Sequence, residues 1–294
     1  MKFPPFKLKN VQLRILAIAV IYLMNLFLIL ELTADRVPIL GFHSIIDVQN
    51  PNQKEIQGST LPSMDYTKQN LAEFLDYLVS HNFWFLTAQD LYDYFITKSK
   101  PMPPEHIGQK PIMISFDDSY KTVYTNLLPV LEDLSKKYDR QVKVVLFVNP
   151  GNFAKKESKT AYNLTCNNLR EGLKKGFYDI QSHGENHKKL TDLDTDHLIY
   201  ELAEAQTRLR KCTQDLDPNH TVASHIAYPN GAVNSKVEEY AAKYYLSGFL
   251  YNSKILKLGW WLRSNYRIPR LSVNHQKTPE RLIQMAERAL IIKN

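Results

Sequence analysis

The chain has 294 residues, of which 44% are hydrophobic and 23% are charged, a balance typical of a folded protein with a full core. This length suits one large domain or two smaller ones. The formal net charge is +7, but the basic residues beyond the amino terminus are spread thinly and form no basic tract. The composition therefore gives no reason to expect nucleic-acid binding.

The amino terminus is predicted to contain a membrane-spanning helix. Residues 15–30 carry no charged side chain, and the apolar stretch extends over residues 11–32, long enough for a bilayer that takes ~20 residues to cross. Basic residues precede this stretch and acidic residues follow it, so the positive-inside rule places the rest of the chain outside the cytoplasm, in a periplasmic or extracellular space. The alternative is a cleaved signal peptide, which would leave a secreted protein. We expect a cytoplasmic tail and anchor over residues 1–34 and one domain over residues 35–294.

Beyond the predicted anchor, short apolar runs alternate with amphipathic stretches, which predicts strands separated by helices. The expected strands are 37–42, 83–86, 112–116, 142–148, 179–182, 223–228, 247–251 and 266–273. The expected helices are 66–81, 88–95, 121–137, 165–176, 196–216, 233–245 and 279–291. The expected loops are 44–64, 100–110 and 151–163. Strands that alternate with helices pair in parallel and carry the helices outside, so the predicted fold class is α/β.

Two adjacent carboxylates, Asp117 and Asp118, stand where the strand 112–116 ends and the next helix begins. Side chains alternate along a strand, but the alternation breaks down at its end, so both acids can point into one cleft. Two carboxylates at one place repel each other, and burial raises the cost. A cation between them, or one proton on the pair, removes this conflict. The alternative interpretation is a pair of acids that caps the following helix.

Two histidines, His183 and His187, follow another predicted strand at positions i and i+4. On a helical or turn backbone both rings can face one point, and this spacing is common among ligands of zinc and similar ions. A histidine pair alone is more often ordinary surface chemistry. Together with the two aspartates it favours a site with three ligands and one position open for water.

Other polar residues mark the ends of further strands. His43 ends the first predicted strand, where parallel α/β folds place active sites, although a lone histidine is usually structural. In the AYPNG stretch at 227–231, proline and glycine force a turn that can aim a backbone N–H at a developing oxyanion. A plain strand-to-helix turn is the alternative there. Arg270 is expected to form a surface salt bridge, with a pair to Asp117 as the alternative.

The chain contains two cysteines, Cys166 and Cys212, which form no CxxC motif and lack the spacing of a zinc site. We expect two unrelated thiols. The alternative is a disulfide bond, formed if the domain lies in an oxidising compartment.

Together these motifs resemble the polysaccharide deacetylases of carbohydrate esterase family 4, over most of residues 37–291. FDD at 116–118, SHGENH at 182–187 and AYPNG at 227–231 occur in the family's order and approximate spacing. Any one motif is weak, but three in order are specific. Within the family, the ILGFH start, the AYPNG turn and the RIPRL stretch look most like bacterial enzymes that de-N-acetylate poly-β-1,6-N-acetylglucosamine, a biofilm matrix polymer.

The resemblance implies a distorted, incomplete (β/α) barrel with a bound divalent metal, zinc first and nickel, cobalt or iron as alternatives. The implied metal ligands are Asp118, His183 and His187. By the same resemblance Asp117 would be the general base, the backbone at Tyr228 would help bind the oxyanion, and His43 would be the general acid.

The chain departs from the family pattern in three places. Ser119 replaces the usual glycine after the two aspartates, and serine tolerates a left-handed backbone less well, so the turn is expected to differ slightly. Asn230 stands where an aromatic residue is frequent. The family's late Leu-x-His motif is not fully matched, because residues 271–273, Leu-Ser-Val, are followed by Asn274 and only then by His275. His275 is therefore the alternative to His43 for the general acid.

The function expected from the resemblance is metal-dependent removal of N-acetyl groups from an extracytoplasmic polysaccharide. The alternatives are deacetylation of peptidoglycan, chitin oligomers or an O-acetylated glycan, and a non-catalytic glycan-binding barrel. The expected partners are the polysaccharide and the membrane, and no nucleic acid. Trp84, Trp260 and Trp261 offer rings for stacking on sugars, but core packing is the expected role for most of them.

Overall fold

A curled sheet of parallel strands organises the chain. The structure is a computed structural model that describes residues 10–33, 36–50, 64–158, 161–258 and 264–288. Within these residues the main sheet has eight strands, and all of its pairings are parallel. Two further two-stranded sheets are formed by very short strands.

The strands of the sheets fall largely on the apolar runs of the sequence. They are β1 (Arg36–Val37), β2 (Ile39–Phe42), β3 (Ile45–Ile46), β4 (Tyr66–Thr67), β5 (Phe83–Phe85), β6 (Lys110–Asp117), β7 (Val144–Val148), β8 (Tyr178–Ser182), β9 (His225–Ala227), β10 (Ser247–Phe249), β11 (Leu256–Lys257) and β12 (Leu271–Ser272). The main sheet runs in the order β10-β9-β8-β7-β6-β2-β12, and β5 pairs with the beginning of β6.

Helices connect most of these strands. They are α1 (Asn10–Thr33), α2 (Lys68–Ser80), α3 (Ala88–Asp90), α4 (Leu128–Tyr138), α5 (Cys166–Lys174), α6 (Thr195–Thr213), α7 (Ser235–Ala241) and α8 (Pro279–Arg288). A π-helical stretch follows α3 over Leu91–Ile96, and another precedes α4 over Val123–Leu127. The apolar side chains that α2, α4 and α5 bury belong to the same hydrophobic cluster as one face of the sheet.

The two ends of the main sheet are brought together by the segment before β12. Phe249 of β10 forms a parallel bridge with Ile268, and the Leu250 N–H donates to the Ile268 carbonyl at 2.7 Å. A few residues later, Leu271 pairs with Leu40 of β2. The sheet is therefore curled into a barrel-like shape, which confirms the predicted α/β class and the distorted barrel of parallel strands with helices packed against it.

Alternation along β6 separates an outer face from the interior of the curled sheet. Ile112, Ile114 and Phe116 belong to the cluster that the helices cover, whereas Met113 belongs to a second cluster with side chains of β7 and β10. Because successive side chains point to opposite faces, Asp117 lies on the same face as Met113. The interior is thus apolar in its middle and becomes polar where the strands end.

Several short elements were not predicted. β3 pairs with β4 at the two ends of the expected loop 44–64, and β1 pairs with β11 antiparallel. Two-residue strands leave no periodic pattern in the sequence, because a period needs several residues to be recognised. The strand expected over 266–273 is reduced to β12 and the bridge at Ile268.

Of the three tryptophans in the sequence, Trp84 lies among the described residues. Trp84 is buried in β5 beside Tyr94 and Phe95, which confirms core packing for this ring. Trp260 and Trp261 lie outside the described residues, as does the predicted domain boundary after residue 34.

The amino-terminal helix α1 exposes its apolar side chains between Leu13 and Phe27. The transmembrane helix predicted over residues 11–32 is not confirmed. Within the described part of the chain, no helix combines the length and hydropathy that crossing a bilayer requires.

The two cysteines form a disulfide bond, so the expectation of two unrelated thiols is wrong. Cys166 opens α5 and Cys212 lies in the last turn of α6, with their Cα atoms 5.9 Å apart. The bond spans a sequence separation of 46 residues. Spacing alone did not reveal it, because the pairing depends on which helix ends lie side by side in the fold.

The disulfide is predicted to stabilise the domain measurably. Closing a loop of this length removes entropy from the unfolded chain, so the double variant Cys166→Ser/Cys212→Ser should lose about 2–4 kcal/mol of unfolding free energy. Denaturant unfolding of parent and variant, with and without reductant, measures the difference. Reductant should weaken the parent and leave the double variant unchanged; a parent insensitive to full reduction would contradict the prediction.

Candidate active site

Predicted functional residues meet at one edge of the main sheet because parallel strands end on the same side. β2 ends just before His43, β6 ends at Asp117, β8 ends just before His183, and β9 ends just before Tyr228. They border a cavity of about 330 Å³. Its lining consists of His43, Met64, Asp117, Asp118, Tyr120, His183, His187, Tyr228, Asn230, Gly231 and Tyr251. The structure therefore brings all six predicted site residues to one cavity.

The turn after β6 directs both aspartates into this cavity. Asp118 and Ser119 have φ angles of 75° and 57°, in the left-handed region that few side chains favour. The Ser119 hydroxyl accepts a hydrogen bond from the Asn149 N–H at 2.8 Å, and this bond supports the turn. Serine thus adopts the left-handed conformation here, with a hydroxyl contact that glycine could not make.

The second half of the site follows β8. The His183 Nδ1 lies 2.8 Å from the Ala227 carbonyl, which can only accept, so Nδ1 donates this hydrogen bond and Nε2 is the nitrogen available to an ion. His187 has a φ angle of 58°, so the backbone again passes through the left-handed region beside a candidate ligand. Both Nε2 atoms approach Asp118 Oδ1, at 3.5 Å for His183 and 3.1 Å for His187.

Asp118, His183 and His187 form a group that fits a divalent cation. One ligand atom from each lies within 4.8 Å of the others. Ligands about 2.0–2.1 Å from a tetrahedral zinc ion are separated by about 3.4 Å, close to the spacings of the Asp118 oxygen from the two ring nitrogens. Asp118 Oδ1 is buried and receives no hydrogen bond. A cation would satisfy this oxygen together with the two imidazole lone pairs.

Asp117 is held by a buried ion pair with Arg270. The guanidinium donates to the two carboxylate oxygens at 2.6 and 2.7 Å, and neither side chain is more than 3% exposed. Arg270 also donates to the Leu250 carbonyl at 2.9 Å and to the Ser115 hydroxyl at 3.1 Å. The expected surface salt bridge is therefore wrong, because the strand segment that carries Arg270 closes the sheet and points this side chain inward.

The pair decides the charge of Asp117. Burial by itself raises the pKa of this carboxyl, but the adjacent Arg270 guanidinium and its hydrogen bonds lower it, and the net pKa lies below the usual value. Asp117 is therefore a carboxylate at neutral pH. Its Oδ2 atom lies 3.9 Å from His183 Nε2, beside the candidate metal position.

His43 approaches the second carboxylate oxygen of Asp118, and its Nε2 lies 3.9 Å from Oδ2. Its ring meets the Tyr251 ring edge-on, with centroids 5.3 Å apart. Burial lowers the pKa of His43, while Asp117 and Asp118 act in the opposite direction. His275, the alternative general acid, does not line this cavity.

The oxyanion role expected for the Tyr228 backbone is contradicted by its hydrogen bond. The Tyr228 N–H donates to the Phe249 carbonyl at 3.0 Å, as the parallel pairing of β9 and β10 requires. Its side chain is fully buried. Asn230, two residues on, lines the cavity and has a left-handed backbone with φ of 58°.

Two residues that brace the site were not recognised in the sequence. Asn149, buried at the end of β7, donates its side-chain amide to the carbonyls of His183 and Gly184, the latter at 3.1 Å. Glu201 of α6 accepts from the Asn186 N–H and from its side-chain amide, both at 2.9 Å. The position of Asn149 after a buried strand was the available signal, whereas Glu201 lies in an ordinary amphipathic helix.

Comparisons with known proteins agree with this geometry. The family model described as polysaccharide deacetylase matches residues 105–248. A poly-β-1,6-N-acetyl-D-glucosamine N-deacetylase of Staphylococcus epidermidis is 24% identical over 241 residues, which cover 81% of this chain and 75% of that protein. A solved polysaccharide deacetylase of Bacillus cereus has a TM-score of 0.69 at 20% identity, covering 86% of this chain and 69% of that one. The Streptococcus pyogenes deacetylase PplD has a TM-score of 0.67 at 24% identity, covering 86% and 99%.

The matched region contains the turn after β6, the histidine loop after β8 and the turn after β9. The structural matches reproduce the fold over most of the chain. The chain therefore carries a polysaccharide deacetylase domain, as the order of its motifs predicted, and it is a hydrolase.

Proposed function

We propose that this chain is a metal-dependent N-deacetylase of an N-acetylglucosamine polymer outside the cytoplasm, of the poly-β-1,6-linked type found in biofilm matrices. The observation that carries the proposal is the group of Asp118, His183 and His187 beside the Asp117–Arg270 pair in one cavity. The name of the Staphylococcus epidermidis relative supports the choice of polymer.

The ligand atoms of the metal group suit a borderline divalent ion. Asp118 would offer a carboxylate oxygen, and His183 and His187 would each offer Nε2. Imidazole and carboxylate donors bind zinc well and also suit nickel, cobalt and iron, so zinc is the first choice. A bound divalent ion supplies Lewis acidity, which polarises the amide carbonyl and lowers the pKa of a water molecule.

Asp117 is proposed to accept the proton of the attacking water. It is ionised at neutral pH, and two hydrogen bonds from Arg270 hold it in place at the cavity. Arg270 is fully buried and is better described as a positioning residue, because it acts on the reaction through Asp117.

His43 is proposed to donate a proton to the leaving amine. An amine leaves poorly as an anion, so the step needs an acid on the side of the cavity opposite the base. The lowered pKa of His43 makes its protonated form a stronger acid than a free imidazolium. Its edge-on contact with Tyr251 fixes the plane of the ring.

The Asn230 backbone N–H is proposed to replace that of Tyr228 as the oxyanion donor. No backbone hydrogen bond from Asn230 is found among the described residues, and the residue lines the cavity. Its left-handed conformation follows from the tight turn, and Gly231 donates to the Tyr228 carbonyl at 2.8 Å to close that turn.

The disulfide supports a location outside the cytoplasm, because such bonds persist in oxidising compartments. The polymer in the relative's name, poly-β-1,6-N-acetyl-D-glucosamine, is the biofilm matrix polymer expected from the resemblance and agrees with this location. The membrane anchor predicted over residues 11–32 stays a prediction.

Acetate release tests the proposed activity. The purified protein should release acetate from poly-β-1,6-N-acetylglucosamine faster than from peptidoglycan or chitin oligomers, and chelator should stop it. Asp117→Asn should lower the rate by about 10²–10⁴-fold, because the amide cannot take the water proton. Exposed Asp196→Asn is the matched control. A parent-like rate in Asp117→Asn would disprove the role of the base.

Metal content tests the ligand group separately. His187→Ala removes one of three ligands, so zinc affinity should fall by at least about 100-fold, more than the loss of a supporting residue causes. Isothermal titration and elemental analysis of the purified protein measure the change. His197→Ala, whose ring is 74% exposed on α6, should bind zinc like the parent. Equal zinc content in His187→Ala and the parent would contradict the assignment.

The pH dependence of the rate tests the ion pair. In Arg270→Met, burial of Asp117 is no longer opposed, so its pKa should rise and the acid limb of kcat/KM should move to higher pH. The rate near pH 6 should therefore fall more than the rate near pH 9. Removing one partner of a buried pair should also cost about 3–5 kcal/mol of unfolding free energy.

Arg270→Lys keeps the positive charge and should show a smaller shift of the acid limb. Denaturant unfolding identifies any variant that fails to fold. A folded Arg270→Met enzyme with an unmoved acid limb would show that Arg270 does not set the charge of Asp117.

A further inference from the structure

Tyr162 is held in place by its backbone and yet exposes its ring. Tyr162 is 67% exposed to solvent. Its carbonyl accepts from the Lys121 N–H at 2.9 Å, and the nearby Leu164 N–H donates to the Ser119 carbonyl at 2.8 Å. These bonds tie the residue to the turn that carries Asp118. The ring is therefore displayed at a fixed place relative to the reacting groups.

The Tyr162 ring packs against a residue of the cavity wall. It meets Tyr120, a lining residue, with ring centroids 5.2 Å apart and planes at 88°. An edge-to-face pair of this kind holds both rings in a defined orientation. The two rings are therefore in contact, with Tyr120 at the cavity and Tyr162 exposed at the surface.

The cavity is too small for more than one unit of a polysaccharide, so the neighbouring units would lie at its rim. A volume of about 330 Å³ is near the lower end of ligand pockets, which hold about 300–1,000 Å³. One sugar unit fills such a space, so the next unit of the chain must lie outside it. A pyranose ring has an apolar C–H face and polar edges, and an exposed tyrosine offers the matching combination of apolar face and polar tip.

We propose that the Tyr120–Tyr162 pair forms a subsite for the pyranose unit adjacent to the one being deacetylated. The inference rests on the proposed function, since it takes a polymer of N-acetylated sugars as the ligand. Tyr162 supplies the face on which that unit stacks, and Tyr120 joins the subsite to the catalytic cavity. The enzyme would then favour oligomers over single sugar units.

Kinetics on N-acetylglucosamine oligomers of one to five units test the subsite. In Tyr162→Ala the KM for the pentamer should rise about 3- to 10-fold, the loss expected for one aromatic contact. The kcat for the pentamer and all constants for the monomer should stay within about 2-fold. Tyr162→Phe keeps the ring and should resemble the parent. Tyr200→Ala removes a ring that is 52% exposed on α6 outside the cavity lining, and should change nothing.

Binding without turnover separates this inference from the proposed activity. Equilibrium titration of the Asp117→Asn protein with the pentamer gives a Kd that does not depend on hydrolysis. Adding Tyr162→Ala should raise this Kd by the same factor of about 3 to 10, the loss expected for one aromatic contact. An unchanged Kd, or an equal loss for monomer and pentamer, would overturn the subsite. Absence of acetate release from every polymer would instead overturn the proposed activity.

Discussion

The ion pair between Arg270 and Asp117 is the interaction on which the arrangement of the site depends. Two charges removed from water are costly, and only close geometry with further hydrogen bonds offsets that cost. Here the guanidinium donates twice to Asp117 and once each to Ser115 and Leu250, so its donors are directed to acceptors in β6 and in the residue that follows β10. The rings of Phe147 and Tyr251 lie 5.0 and 5.3 Å from it. The pair therefore joins β6 to the segment before β12 that closes the sheet. It also keeps Asp117 charged, although burial alone would raise the pKa of this carboxyl.

The metal group depends on two turns that ordinary strands would not provide. At Asp118 and Ser119 the left-handed backbone breaks the alternation of β6, and only then can neighbouring aspartates serve one cavity. At His187 a second left-handed residue returns the chain toward Asp118. Asn149 connects the two turns, because its N–H donates to Ser119 and its side chain donates to the carbonyl of His183. The separation of the ligand atoms is thus set by hydrogen bonds within the protein.

The sequence predicted the parts of this site that depend on strand ends. Apolar runs followed by Asp117, by His183 and by His43 were enough to place these residues at one edge, because parallel strands end on the same side. What depends on tertiary neighbours was not predictable. The disulfide of Cys166 and the burial of Arg270 follow from which segments lie side by side, and no periodic pattern encodes that. The backbone of Tyr228 was misassigned for a related reason: its N–H is committed to the neighbouring strand, which only the register between β9 and β10 shows.

Bonds to neighbouring elements explain why the proposed sugar subsite can hold a fixed position although Tyr162 lies in a loop. The segment that carries Tyr162 runs directly into α5, whose first turn Thr165 caps and whose first residue, Cys166, is bonded to α6. On α6, Glu201 holds Asn186 beside His187. Covalent and hydrogen bonds therefore connect the exposed tyrosine to both halves of the metal group. A loop fastened in this way can present a sugar to the reacting groups without paying the entropy of ordering itself when the polymer binds.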